Sequence, residues 1–229
     1  MALGRYLNLF PVRGFLAILL ATLMALSANL FTREFDQFMR GILSDSDGFQ
    51  HWTAPDHEDV LSSNGQIDLL TGCIFALESW KTAFQAKDAV LNVAKNCADE
   101  ADSVLEMNAQ LSEAHYLKAY HAYLTGDESA VRSYLGGAQV TAPTDQWLAV
   151  RRVNLSQKLW PGEHLVGDYD LKSDLGLLIA SNHGLDTATR LYIRYPSLRE
   201  LIVQSTEELD DQDRQRFLNR LKTAVARMQ

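Results

Sequence analysis

The chain has 229 residues, 47% of them hydrophobic, and a formal net charge of -8. That length suits one domain of moderate size plus an appendage. Residues 1–31 hold Arg5 and Arg13 and no acid, so the remainder carries 19 basic against 29 acidic side chains, which argues against nucleic acid and anionic lipid surfaces as partners.

Gly14 to Phe31 is an uncharged, mostly apolar run, long enough as a helix to cross a bilayer core, which takes about 17–25 residues. Arg5 and Arg13 precede it, Arg33, Glu34, Asp36 and Arg40 follow, and the absence of a polar face within it argues against a buried core helix. One reading is a cleavable signal with Phe15 to Leu26 as its apolar core, cut near Ala25-Leu26-Ser27 or after Ala28, neither a clean small-x-small site. The favoured reading is an uncleaved anchor, 14–31, with 1–13 a cytoplasmic tail and the domain outside, because the basic residues precede the span. Residues 32–65 then form a linker, polar and turn-rich from Ser44 to Gly65. Its His51, Trp52, Asp56, His57, Glu58 and Asp59 follow no metal-ligand spacing, and a solvated loop is expected there.

The domain proper, 66–229, is expected to be all-α. Ile67 to Gln85 and Asp88 to Met107 make a helix pair, with Ile74, Leu77, Trp80, Ala83 and Phe84 on one stripe and Val90, Val93, Ala94, Cys97 and Ala101 on the other. A hairpin turning near Gln85 to Asp88 brings Cys73 and Cys97 nearly opposite each other. Two readings stay open: a disulfide, which needs alpha carbons about 4.4–6.8 Å apart and an oxidising compartment, or two buried thiols acting as small hydrophobes.

Ser112 to Pro143 reads as a complete helical hairpin. Tyr116, Ala119, Tyr120 and Tyr123 make one apolar face, Thr125-Gly126-Asp127 stops the helix, and Ala130, Val131, Tyr134, Leu135 and Ala138 make the second face before Pro143 closes the unit. Ala119, Gly126, Asp127, Leu135, Ala138 and Pro143 together resemble a tetratricopeptide repeat, the helix pair of about 34 residues that stacks into solenoids. His115 departs from that pattern, where a tryptophan is usual, and so does Val131, where a small residue is usual. Gly136-Gly137 inside the second helix has two readings, a close approach by a neighbour or a helix that ends early at Leu135. What the resemblance implies is antiparallel hairpins stacked in a solenoid, with degenerate neighbours covering the one well-formed repeat.

Further on, Gln146 to Leu159 reads as another first helix before Pro161-Gly162, and Pro161 to Asp170 as a loop. Ser173 is placed to cap Asp174 to Ser181, Asn182-His183-Gly184 to end it, and Leu185 to Arg194, Ser197 to Glu208 and Asp211 to Met228 complete the set. The last carries Phe217, Leu218, Leu221, Val225 and Met228 on one face. No strand pair is expected. Scattered positions here, among them Trp147-Leu148, Arg151-Arg152, Asp174-Leu175, Tyr192 and Arg216-Phe217-Leu218, look like small, singly anchored helical proteins encoded with exopolysaccharide or capsule machinery in Gram-negative bacteria. That weaker resemblance implies an accessory or scaffolding role in polysaccharide assembly; together with the anchor reading, the expectation is an inner-membrane, single-pass protein with its carboxy-terminal domain in the periplasm.

No phosphate loop, zinc motif, nucleophile elbow or paired CxxC occurs, and no cofactor, metal or catalytic residue is implied. Glu163, Asp168 and Asp170 are the one loop cluster of carboxylates a sugar-active enzyme could use. Arg151, Arg152, Arg190 and Arg194, with Trp147, are the candidate binding residues; the arginines, joined by Arg199, are read as a basic groove in an acidic protein. The expectation is a non-catalytic scaffold for envelope membrane proteins of polysaccharide synthesis or export. The alternative is a glycan-binding module using the aromatic and arginine side chains.

Overall fold

The computed structural model describes residues 10–43, 48–53, 60, 62–160, 165–166 and 169–227, and it is all-α apart from one short strand pair. Helix α1 (Phe10–Leu43) does not stop at Phe31 but continues for another three turns. Arg33, Glu34, Gln37, Met39 and Arg40 are good helix formers, so nothing local breaks it. The expected linker is correspondingly shorter. Within α1, Gly14–Thr32 is long and apolar enough to cross a membrane, and none of it is buried against the rest of the protein.

Helix α2 (Gly48–His51) leads into Trp52, which is 3% exposed. The solvated-loop expectation fails there. Trp52 packs on Gly72 of α3 (Ser63–Glu78), where an added Cβ would stand 3.7 Å from the indole, and Asn96 donates to the Trp52 carbonyl at 2.9 Å. Asp56, His57, Glu58 and Asp59 lie outside the described residues.

Ser62 caps α3 by accepting the Gly65 amide at 3.0 Å. The helix ends at Glu78, short of the expected Gln85, because Ser79 turns extended and its hydroxyl accepts the Lys81 amide, opening a 3-10 turn over Trp80–Phe84. Trp80 and Phe84 therefore leave the expected buried stripe. They are 73% and 78% exposed and meet edge to face at 5.9 Å. Helix α4 (Lys87–Met107) returns along α3, and the two are joined by a buried Cys73–Cys97 disulfide with alpha carbons 5.8 Å apart.

The next hairpin, α5 (Ser112–Thr125) and α6 (Glu128–Thr141), follows its sequence closely. Gly126 has φ +80°, a left-handed backbone that favours glycine. The Asp127 amide donates to Ala122 at 2.9 Å and the Gly126 amide to Tyr123 at 3.2 Å, so two orphan carbonyls of α5 are satisfied at once. The Asp127 carboxylate then accepts the Ala130 amide at 3.0 Å and starts α6. Ala119, Leu135 and Ala138 are fully buried, and Tyr116 and Tyr120 nearly so. Of the two readings of the glycine pair, the close approach is correct. Helix α6 runs unbroken to Thr141, and a Cβ on Gly137 would stand 3.0 Å from the His115 ring of α5.

Asp145 caps α7 (Gln146–Leu159) through the Leu148 amide at 3.1 Å. The segment expected to be a plain loop contains β1 (Leu165–Val166) paired antiparallel with β2 (Tyr169–Asp170). Two residues per strand are too few for alternation to register in sequence. The Gln139 side chain of α6 mimics a third strand, donating to the Asp170 carbonyl and accepting its amide, both at 2.8 Å. Helix α8 (Leu171–Ala180) is capped by Asp170, which accepts the Lys172 and Ser173 amides, so Ser173 is not the cap. Helices α9 (Gly184–Arg194), α10 (Arg199–Glu207) and α11 (Asp211–Ala226) complete the described chain. On α11 only Phe217 is fully committed to the core. Leu218 and Val225 are 40% exposed, and Met228 lies outside the described residues.

Helices α3 and α4, α5 and α6, and α7 and α8 pack as sequence neighbours, while α3, α5, α7 and α9 touch one another in that order. One continuous buried cluster runs from Trp52 to Phe217.

Candidate binding face

Helix α7 separates the residues that sequence reasoning grouped. At 100° per residue, Trp147, Val150, Arg151 and Asn154 share one side of α7, and Leu148, Arg152 and Leu155 another. The first set is partly or fully exposed and the second is buried. Arg152 is thus not a groove residue. It is 0% exposed, its Nε and Nη2 donate to the two Asp174 oxygens at 2.8 and 2.7 Å, and its Nη1 donates to the Ala138 carbonyl at 3.1 Å. Ser112 donates to that same carbonyl at 2.6 Å. A single buried cluster therefore ties α5, α6, α7 and α8 together, and the small Ala138 is what lets its backbone be reached.

Arg151 stays on the surface side. Its guanidinium lies 3.5 Å over the Trp147 ring and 5.7 Å from Phe75, and its Nε sits 3.1 Å from Glu78. Burial lowers its pKa and the Glu78 carboxylate opposes that. Phe75 meets Trp147 edge-on at 5.9 Å while remaining 56% exposed. Trp147 is consequently covered by Arg151 on one side and Phe75 on another, a poor platform for a stacked sugar. Trp80, which sequence reasoning assigned to a buried stripe, is the open one.

Glu78 also accepts from the Tyr116 hydroxyl at 2.5 Å. Burial, followed by the Glu78 charge, pushes Tyr116 well above the usual phenol range; burial pushes Tyr120 up to about 12; and burial with the Asp174 charge pushes Tyr169 well up. A phenol whose folded pKa exceeds its unfolded value near 10 contributes stability that is complete below pH 10 and lost as pH rises through the folded value. The unfolding free energy measured by urea denaturation should therefore fall from pH 10 towards 12, by about 1.4 kcal/mol per pH unit for each such tyrosine. Tyr120→Phe should flatten that slope by one tyrosine's share, and an unchanged slope would remove Tyr120 from the account.

Arg190 and Arg194 lie elsewhere on the same side of the molecule as Val150 and Asn154. They line a cavity of about 630 Å³ walled by α7, α9 and α11, together with Arg220 and Arg227. Sequence reasoning missed those last two. They are seven apart, on α11 and at its C-cap, and so share a side, but only tertiary packing brings that side to α9. Arg199 donates instead to the Tyr192 carbonyl at 3.0 Å, away from the cavity lining. Glu163 and Asp168 lie outside the described residues, and Asp170 is engaged as the α8 cap. Among the described residues no cluster of three metal-ligating side chains occurs. The chain matches no family model, no curated protein and no solved structure.

Proposed function

We propose that the protein is a non-catalytic scaffold, anchored in the inner membrane by α1, whose helical domain holds partners of a cell-envelope polysaccharide synthesis or export assembly from the periplasmic side. The observation that carries this reading is the solvent-side face of α7, where the half-buried Trp147, Val150 and Arg151 and the exposed Asn154 run in one stripe from Phe75 to the α9–α11 cavity. A tetratricopeptide-like solenoid presents its first helices along one concave surface, and the ordered contacts of α3, α5, α7 and α9 support that arrangement.

Location is supported by two independent features. The fully exposed apolar run of α1 is a surface that water disfavours and a bilayer accepts. A Cys73–Cys97 disulfide persists in oxidising compartments, and this supports the side that Arg5 and Arg13 also favour. The glycan-binding alternative draws on the exposed Trp80.

Cross-linking in intact membranes followed by capture of the full chain tests the scaffold. Recovery of envelope polysaccharide machinery by the native chain, and its loss with Phe75→Ala plus Arg151→Ala, is the expected result. A chain that comes through as a solitary monomer, or retains the same partners after both substitutions, would sink it.

A further inference from the structure

We infer that the cavity between α7, α9 and α11 is a binding site for an acidic oligosaccharide. The observation is a charge imbalance. Of the four arginines that line it, Arg220 is paired with Asp186, which also lines the cavity. Arg190 donates only to the Thr187 hydroxyl, at 2.8 Å, and Arg194 rests 5.4 Å from the Tyr195 ring. Neither of these, nor Arg227, has a carboxylate partner among the described residues. Three uncompensated guanidinium groups thus face one cavity in a chain whose net charge is -8. Like charges held together in a concave site repel one another, and an anion that bridges them relieves that repulsion.

The spacing of the charges selects an extended ligand over a compact one. Arg190 and Arg194 are one turn apart on α9, about 6 Å of rise, and Arg220 and Arg227 are two turns apart, about 10 Å, at the carboxy-terminal end of α11. A chain with acid groups at intervals matches charges rooted that far apart on two helices better than a single compact anion does. Guanidinium grips a carboxylate through two parallel N–H bonds.

The same lining holds Thr187, Thr223 and Asn154, short neutral groups that both donate and accept, and Tyr195. Hydroxyl-bearing sugar units suit these groups better than the apolar or amide spacers of an acidic peptide. The volume falls inside the range of about 300–1,000 Å³ typical of small-ligand sites. This inference deepens the glycan-binding alternative, and it stands whether or not the protein is also a scaffold.

The test uses the purified full chain in zwitterionic detergent, titrated with tetragalacturonate, with uncharged maltotetraose, hexaglutamate and inorganic phosphate as comparisons. The expected result is saturable binding of tetragalacturonate that weakens as salt rises, with the other three at least about tenfold weaker. Arg190→Ala with Arg194→Ala, both exposed on α9, should weaken it about tenfold or more without changing the thermal midpoint appreciably. Lys222→Ala, which removes an α11 charge outside the cavity lining, should leave it unchanged. No binding of tetragalacturonate, equal binding of hexaglutamate or phosphate, or equal effects of the Lys222 and arginine substitutions would each overturn the assignment. Partner capture is measured separately, so failure here leaves the scaffold reading standing.

Discussion

Truncating Arg152 to alanine is expected to cost about 3–5 kcal/mol of unfolding free energy, enough to remove much of a domain's stability. The cause is less the lost attraction than what remains. Asp174 is itself 0% exposed, and without Arg152 its carboxylate is a buried charge with neither water nor a counter-ion. The Ala138 carbonyl loses one of its two side-chain donors at the same stroke and keeps Ser112. Asp174→Ala should be about as costly, because it strands the guanidinium instead. Replacing both, as Arg152→Met with Asp174→Leu, should recover most of the loss, since two apolar chains of similar bulk avoid the desolvation of two ions. Urea denaturation of the three variants checks this. A double variant as unstable as the sum of the singles would mean that the two residues are not coupled, and would overturn the stranded-charge account.

The same pair shows where sequence reasoning succeeded and where it failed. The α5–α6 hairpin was legible because each of its signals is local: the tyrosine stripe, the left-handed glycine and the Asp127 cap all act within a few residues. Arg152 was misassigned because its neighbour in sequence, Arg151, invited a surface patch, although adjacent residues on a helix point about 100° apart. A signal was available. Arg152 lies in the Leu148–Leu155 stripe, and Asp174 lies among Leu171, Leu175 and Leu178, so each of two consecutive helices carries one opposite charge inside an apolar face. Two such residues in neighbouring helices have every reason to find each other.

The exposed Trp80 and Phe84 failed for a different reason. Their helical spacing is real, but the Ser79 hydroxyl offers the backbone an alternative bond, and such local competition decides the end of α3. The cavity was half legible. Arg190 and Arg194 share a side of α9 by spacing alone, whereas Arg220 and Arg227 reach them only through the docking of α11 on α9, a contact no local pattern encodes.

Removing the disulfide should be nearly as damaging as breaking the ion pair. Closing a loop between residues 24 apart restricts the unfolded chain by about 3–4 kcal/mol in the chain-entropy account. Cys73→Ala with Cys97→Ala should lower the urea midpoint accordingly, with a small further loss from the two vacated sulphur sites in a core where both residues are 0% exposed. That same burial predicts slow chemistry. A thiolate must reach a sulphur to exchange with it, so reductant alone should leave the folded protein untouched for long periods, while reductant in urea should act at once.

Intact mass under the two conditions separates the cases, because reduction adds two hydrogens. The alanine pair also tests the location. A chain exported to an oxidising compartment should show the native midpoint, and one retained in a reducing cytosol should behave as the alanine variant does. If the two preparations share one midpoint and both gain two hydrogens on reduction, the disulfide forms regardless of compartment and cannot be used to assign the side of the membrane. If neither gains them, Cys73 and Cys97 are two buried thiols, and the orientation rests on Arg5 and Arg13 alone.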